Sequence, residues 1–150
     1  MQIDLDLLYT WGAIAKEYKK NDVIISEDEV ANFYYQVIEG CVRMYNSNDD
    51  GKEFTQGYFC NGQSFGEPPL FINEKYPATA VAFQDCKIIK LSKDKFLRIL
   101  DEYPSIQKQF LVVFLRIFLT GLSLCIQLYL VRQRYKQKNL HETNREGYMS

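Results

Sequence analysis

This sequence predicts a mainly β fold with flanking helices: an antiparallel sandwich or roll, followed by one long helix. Three observations carry the prediction. Between Val23 and Leu91, short β-branched and aromatic runs alternate with turn signals at spacings of roughly 8–12 residues. No helical pattern interleaves those runs, which excludes a parallel α/β sheet. After Pro104 the texture changes to a single long apolar stretch. The chain has 150 residues, 47% of them apolar and 25% charged, which is enough to bury a core and too apolar to stay disordered.

The elements follow in order. Leu7, Leu8, Trp11, Ile14, Ala15 and Tyr18 fall on one face at helical spacing, so a packing helix is expected over 4–20. Asp4 and Asp6 suit the positive end of its dipole. Strands are expected over 23–25, 33–38, 41–45, 53–59, 78–83 and 86–91. Glu39-Gly40 reads as a two-residue hairpin turn. Asp50-Gly51 is the stronger hairpin signal, because a type I′ turn needs positive φ at both central residues. Residues 62–77 hold Gly62, Gly66, Pro68, Pro69 and Pro77, which makes a shaped loop, with a helical turn starting at Pro68 or Pro69. Ser92 reads as the N-cap of a helix over 93–103, with Phe96, Leu97 and Leu100 inward. Pro104 starts a second helix that runs to about 138. The domains expected are therefore 1–103, 104–138 and a polar tail, 139–150.

The long helix has one charge, Arg116, between Phe110 and Val131. That stretch is long enough to cross a bilayer, but an arginine at mid-span costs about 2.5–3.5 kcal/mol. The polar residues Gln109, Arg116, Thr120, Ser123, Gln127 and Arg134 also line up as one stripe. Such a helix needs apolar partners on its other faces. We expect it to pack on the β layers and on its copy in a homodimer, with no membrane.

Charge and cysteine usage narrow the function. The net charge of −1 divides into −7 over residues 1–75 and +6 over 76–150. The basic tail residues Arg132, Arg134, Lys136, Lys138 and Arg145 read as a solvated helix end, too short for a nucleic-acid footprint. Cys41, Cys60, Cys86 and Cys125 form no C-x-x-C pair, so zinc-ribbon and iron–sulfur spacings are excluded. Cys41, Cys86 and Cys125 read as small core residues. No secretory signal pattern follows Met1, so reduced thiols in a cytoplasm are expected. The single histidine, His141, lies in the tail, which leaves no metal set or catalytic triad for the fold. Glu67 and Glu74 make a carboxylate pair with nothing to position a substrate between them. No enzyme activity is expected.

The ordered motifs resemble a known family. The run from Phe33 through Gly40 to Arg43 is similar to a Tyr-Tyr-Val-Ile-Glu-Gly-x-Val-Arg hairpin. The run from Asn61 through Phe65-Gly66-Glu67 is similar to a Pro-Gly-Asp-x-Phe-Gly-Glu loop. Tyr76-Pro77-Ala78-Thr79-Ala80-Val81-Ala82 stands where Arg-[Ala/Ser]-Ala-Thr-Val is usual. Together they resemble the cyclic-nucleotide-binding domain of the catabolite-activator (Crp/Fnr) regulators. The resemblance implies a double-stranded β-roll, or jelly roll, and a long dimerisation helix. It also implies a phosphate cassette, in which a Gly-rich loop offers backbone N–H groups, an arginine supplies a charged fork and the glutamate accepts from a ribose hydroxyl.

Gly66 and Glu67 match that cassette, but Tyr76 stands in the place of the arginine. Losing a charged partner of a buried anion costs about 2–5 kcal/mol. The helix pair that holds the base in the family falls on Gly121 and Leu122, flanked by Thr120 and Ser123. The candidate ligand-binding set is Phe65, Gly66, Glu67, Tyr76, Pro77, Ala78, Thr120 and Ser123. The expected ligand is a small-molecule effector, a cyclic nucleotide or another small anion, and not cyclic AMP in the usual mode. The other reading is a dimeric interaction module with a vestigial nucleotide pocket. Family regulators continue into a helix-turn-helix domain. No recognition helix fits the residues after Val131, so a sensor without its own DNA-binding domain is expected.

Overall fold

The computed structural model describes residues 2–147, with side chains through 138. Its first unit, Met1–Gln107, carries all the strands. Helix α1 (Leu5–Thr10) is capped by Asp4, whose Oδ1 accepts from Leu7 N at 3.0 Å. The chain turns at Trp11–Gly12 and enters strand β1 (Ile14–Tyr18). The helix expected over 4–20 is therefore half strand. Apolar positions spaced to fit one helical face also fit a short edge strand, and ladder pairing with residues 86–90 decides between them.

Strands β2 (Val23–Ile25), β3 (Phe33–Glu39), β4 (Cys41–Ser47), β5 (Glu53–Cys60), β6 (Ser64–Phe65), β7 (Thr79–Ala82) and β8 (Cys86–Ser92) complete two four-stranded sheets. Their orders are β1-β8-β3-β6 and β2-β7-β4-β5, all antiparallel. This is the mainly β roll expected from the sequence. Strand β3 is central and buried on both faces. Tyr34 stacks on Phe96, with centroids 4.6 Å apart, and one residue along Tyr35 stacks on Phe65 at 5.5 Å. Successive side chains of a strand point to opposite faces, so β3 serves the cover of helices and the core between the sheets at once.

Two turns differ from expectation. Glu39-Gly40 joins no hairpin, because β3 and β4 lie in different sheets. The chain crosses between sheets there, with Gly40 at φ +97°, and a Cβ would stand 2.6 Å from Asp85 O. Asp50-Gly51 does lie in the β4–β5 hairpin, but in a five-residue loop closed by Gly51 N donating to Asn48 O at 2.9 Å. Only Gly51 of the pair has positive φ, so the turn is not type I′.

Helix α2 (Pro68–Ile72) starts at the first of its two prolines, as expected. Helix α3 (Lys93–Glu102) buries Phe96, Ile99 and Leu100. Ser92 stands at its N-cap, but its side chain makes no capping bond. Leu97, expected inward, is only partly buried.

Cysteine placement also departs from expectation. Cys41 and Cys60 are directly opposed in the β4–β5 ladder and joined by a disulfide. Cys125 is exposed, and only Cys86 is a buried thiol. Opposed strand positions 19 residues apart in sequence leave no local signature, which is why spacing alone missed the pair.

Helix α4 (Pro104–Gly147) runs through the second unit, Lys108–Ser150, and continues nine residues past the expected end near 138. His141 lies where side chains are outside the described residues. Between 104 and 138 the helix is long and apolar enough to cross a membrane. Phe118, Leu119, Leu122, Ile126 and Leu130 are among its exposed apolar residues.

Candidate functional site

The site grows from the end of β6. Phe65 pairs with Tyr35 and is fully buried between the sheets. Gly66 follows with φ +74°, a backbone conformation that side chains disfavour. A Cβ there would also stand 3.0 Å from Ile25 Cδ1 and 3.3 Å from Tyr76 Cε1. Glycine is thus required twice, by the turn and by the close approach of Tyr76.

Glu67 comes next, at the N-cap of α2, and is 7% exposed. Its carboxylate makes no capping bond, and Oε1 has no hydrogen-bond partner. Burial raises the carboxyl pKa. Its neighbours form a buried polar group that sequence reasoning missed. Tyr34 Oη donates to Gln36 Oε1 at 2.7 Å. The Gln36 amide also clasps the backbone of Ile3, accepting from its N–H and donating to its C=O, both at 2.9 Å. Ser64 is buried beside them, next to both the Glu67 carboxyl and the Tyr34 phenol. Burial, and then the Glu67 charge, raise the Tyr34 pKa, so its phenol holds its proton. The only sequence signal was the polar side chain of Gln36 inside an apolar strand.

Tyr76 closes the arrangement. It is 3% exposed, its ring lies against Gly66, and its hydroxyl donates to Phe33 O at 3.2 Å. Burial is the main cause that raises its pKa, with Tyr35, Glu29 and Glu67 adding to it. Burial, then Tyr18 and Glu29, push the Tyr35 phenol up to about 12. Both rings are therefore neutral at pH 7.

Of the expected residues, the structure gathers Phe65, Gly66, Glu67 and Tyr76. Ala78 is fully buried at the approach to β7, while Pro77 is exposed and its carbonyl accepts from Asn46 Nδ2. Thr120 and Ser123 belong to the helix of the second unit. Both are exposed, and Thr120 Oγ1 donates back to Arg116 O at 2.8 Å.

The chemistry of this arrangement is specific. An anion seat of the expected kind needs N–H donors and a counter-charge. Here the two residues that follow Glu67 are Pro68 and Pro69, which have no N–H to give. The counter-charge position holds a neutral tyrosine. Beside Tyr76 opens a cleft of about 480 Å³, lined by Tyr18, Phe33, Tyr35 and Tyr76 and edged by Lys16, Lys90 and Glu29. The Lys90 ammonium stands 4.3 Å from the Phe33 ring centroid, and that of Lys16 stands 4.9 Å from Tyr18. Among the described residues no cluster of side chains is arranged to hold a metal ion.

Comparison with known proteins supplies the context. Residues 15–103 match the family model described as cyclic nucleotide-binding domain. The chain is 32% identical over 91 residues to the cAMP-activated global transcriptional regulator CRP of Haemophilus influenzae, covering 60% of this chain and 41% of that protein. It is 30% identical over 87 residues to the transcriptional activatory protein AadR of Rhodopseudomonas palustris, covering 58% and 35% respectively. The chain thus spans less than half the length of these curated relatives. The crystal structure of the Thermus thermophilus catabolite activator protein superposes with a TM-score of 0.73 at 23% identity, over 83% of this chain and 57% of that one. That likeness concerns the fold.

Proposed function

The chain belongs to the cyclic nucleotide-binding domain family, and from that premise we propose that it is a Crp/Fnr-type regulatory domain whose phosphate cassette is closed. The observation that carries this reading is Tyr76, buried against Gly66 where the resemblance expects an arginine. Two further features support it: the proline pair that removes amide donors from the start of α2, and the buried Glu67 carboxyl. A cyclic nucleotide entering by the family's route would have to displace a hydrogen-bonded tyrosine and then bind its phosphate without a cation. The domain acts instead as a homodimeric module through the 104–138 helix, in which a second copy covers the exposed apolar residues, and it regulates transcription from the cytoplasm without enzymatic activity of its own. Direct DNA reading is not assigned to these residues.

A second reading keeps a small-molecule effector and is favoured by the cleft beside Tyr76. Its four aromatic walls, and two lysines against the one carboxylate of Glu29, suit a flat organic anion rather than a nucleotide phosphate in the cassette. A thermal-shift panel on the full chain separates the readings. The closed cassette predicts no shift with purine cyclic nucleotides. The cleft predicts a rise in Tm with an aromatic carboxylate such as benzoate, lost in Lys90→Ala. A shift with cyclic AMP that Glu67→Gln abolishes would overturn the closed cassette.

A further inference from the structure

The two cysteines of the β4–β5 ladder stand where backbone pairing alone brings them together. Cys41 and Cys60 are register partners with Cα atoms 4.1 Å apart. That is near the roughly 4.5 Å of a non-hydrogen-bonded antiparallel pair, the position where side chains approach most closely. The ladder continues from Val42 opposite Phe59 to Ser47 opposite Glu53, so it holds the two sulfurs side by side whether or not they are bonded. Both residues are half-buried, on the opposite strand face from the buried Val42 and Met44. Reagents in solution can therefore reach them.

The surroundings tie this pair to the cassette loop. Cys60 ends β5 and opens the turn into β6. Its carbonyl accepts from Gln63 N at 2.9 Å, and its N–H donates to Gln63 Oε1 at 2.8 Å. Gly62 N donates to Val37 O at 2.8 Å, and Asn61 Oδ1 accepts from Gly40 N, the residue before Cys41, at 2.8 Å. Three residues beyond Gln63 stands Gly66. The third cysteine of this region, Cys86, is set apart by its environment: its thiol donates to Cys41 O and Gln84 O, and burial raises its pKa. A thiol so held is a poor nucleophile.

We propose that Cys41 and Cys60 form a reversible thiol–disulfide site that reports the redox state of the surrounding thiol pool to the loop carrying Gly66 and Glu67. The oxidant is a small disulfide such as glutathione disulfide. One protein thiolate attacks a sulfur of glutathione disulfide, and one glutathione leaves as its thiolate. The second protein thiolate then attacks the protein sulfur of the mixed disulfide, and the second glutathione leaves. The protein loses two S–H hydrogens and gains one S–S bond, while the oxidant gains those two hydrogens and becomes two thiols. In a reducing cytoplasm such a bond is transient and informative rather than permanent.

The test uses the full chain carrying Cys125→Ser, which removes the exposed thiol, equilibrated in glutathione buffers from strongly reducing to strongly oxidising. Alkylation and intact mass then count thiols, and hydrogen exchange follows the amides of 61–67. The expected result is a single sigmoidal loss of two alkylatable thiols, with slower exchange at 61–67 in the oxidised form. Cys60→Ser should abolish both changes. A disulfide that persists in the most reducing buffer would make the bond a static crosslink and overturn the proposal. Thiols that persist in the most oxidising buffer would also overturn it, as would exchange at 61–67 that is identical in the two redox states.

Discussion

Gly66, Glu67 and Tyr76 meet around one turn, where the proposed function places the closed cassette. Gly66 has positive φ and two heavy atoms within 3.3 Å of the place a Cβ would take. Gly66→Ala should destabilise the fold by about 2 kcal/mol, from backbone strain plus overpacking, read as a lower urea midpoint with unchanged slope. Tyr76→Phe keeps the ring and removes the donor to Phe33 O, so a loss of about 1 kcal/mol is expected. Glu67 sets a pH dependence. Burial raises its pKa above the unfolded value of about 4.3, so the folded state holds the proton more tightly. Its stabilising contribution is complete below that unfolded value and is lost as pH rises through the folded pKa. Glu67→Gln is neutral throughout, so it should gain stability relative to the wild type as pH rises from about 4 towards 7. Urea denaturation at several pH values checks this, and a constant difference across the range would contradict it. At this scale the sequence was informative about identity and silent about posture. It exposed Tyr76 as the departure from the family cassette, but not that the ring would lie on Gly66, nor that Glu67 would stand among Tyr34, Gln36 and Ser64. Tyr34 and Gln36 lie about thirty residues from Glu67 in sequence, and Tyr76 lies ten from Gly66 across a helix and a turn.

At the scale of elements, the strands were legible because each is a short β-branched and aromatic run bounded by turn residues. The six expected strands match observed ones within a residue or two. Edge elements were the failures. Strand β1 pairs on one side only, and its apolar spacing fits a helix equally well. Strand β6 is two residues long, too short for any pattern. Glu39-Gly40 was misassigned because a glycine that turns a chain between sheets looks like one that turns it within a sheet. The long helix was legible from its polar stripe. Phe118 and Leu122 lie opposite that stripe and are exposed. Replacing both with aspartate should convert a dimer to a monomer in light scattering while leaving the melting of the roll unchanged. A dimer that survives both substitutions would move the subunit contact elsewhere, and a wild-type chain found only in the membrane fraction would replace the dimer altogether.

For the whole molecule, the two sheets form the roll of a cyclic nucleotide-binding domain, and on the function proposed above one cassette position changes what that roll answers to. A neutral tyrosine stands where the resemblance implies a cation, and two prolines without N–H groups follow Glu67. The same roll offers an aromatic cleft beside Tyr76 and a cysteine pair at the turn that leads towards Gly66. Both were out of reach of sequence reasoning, because each is assembled from strands that meet only after folding. The measurement that bears most directly on this account is calorimetric titration of the full chain with cyclic AMP and cyclic GMP, with light scattering on the same sample. The account predicts a dimer that gives no binding heat with either nucleotide. Micromolar binding of either one, lost in Glu67→Gln, would contradict it and mean that Tyr76 leaves the phosphate site open.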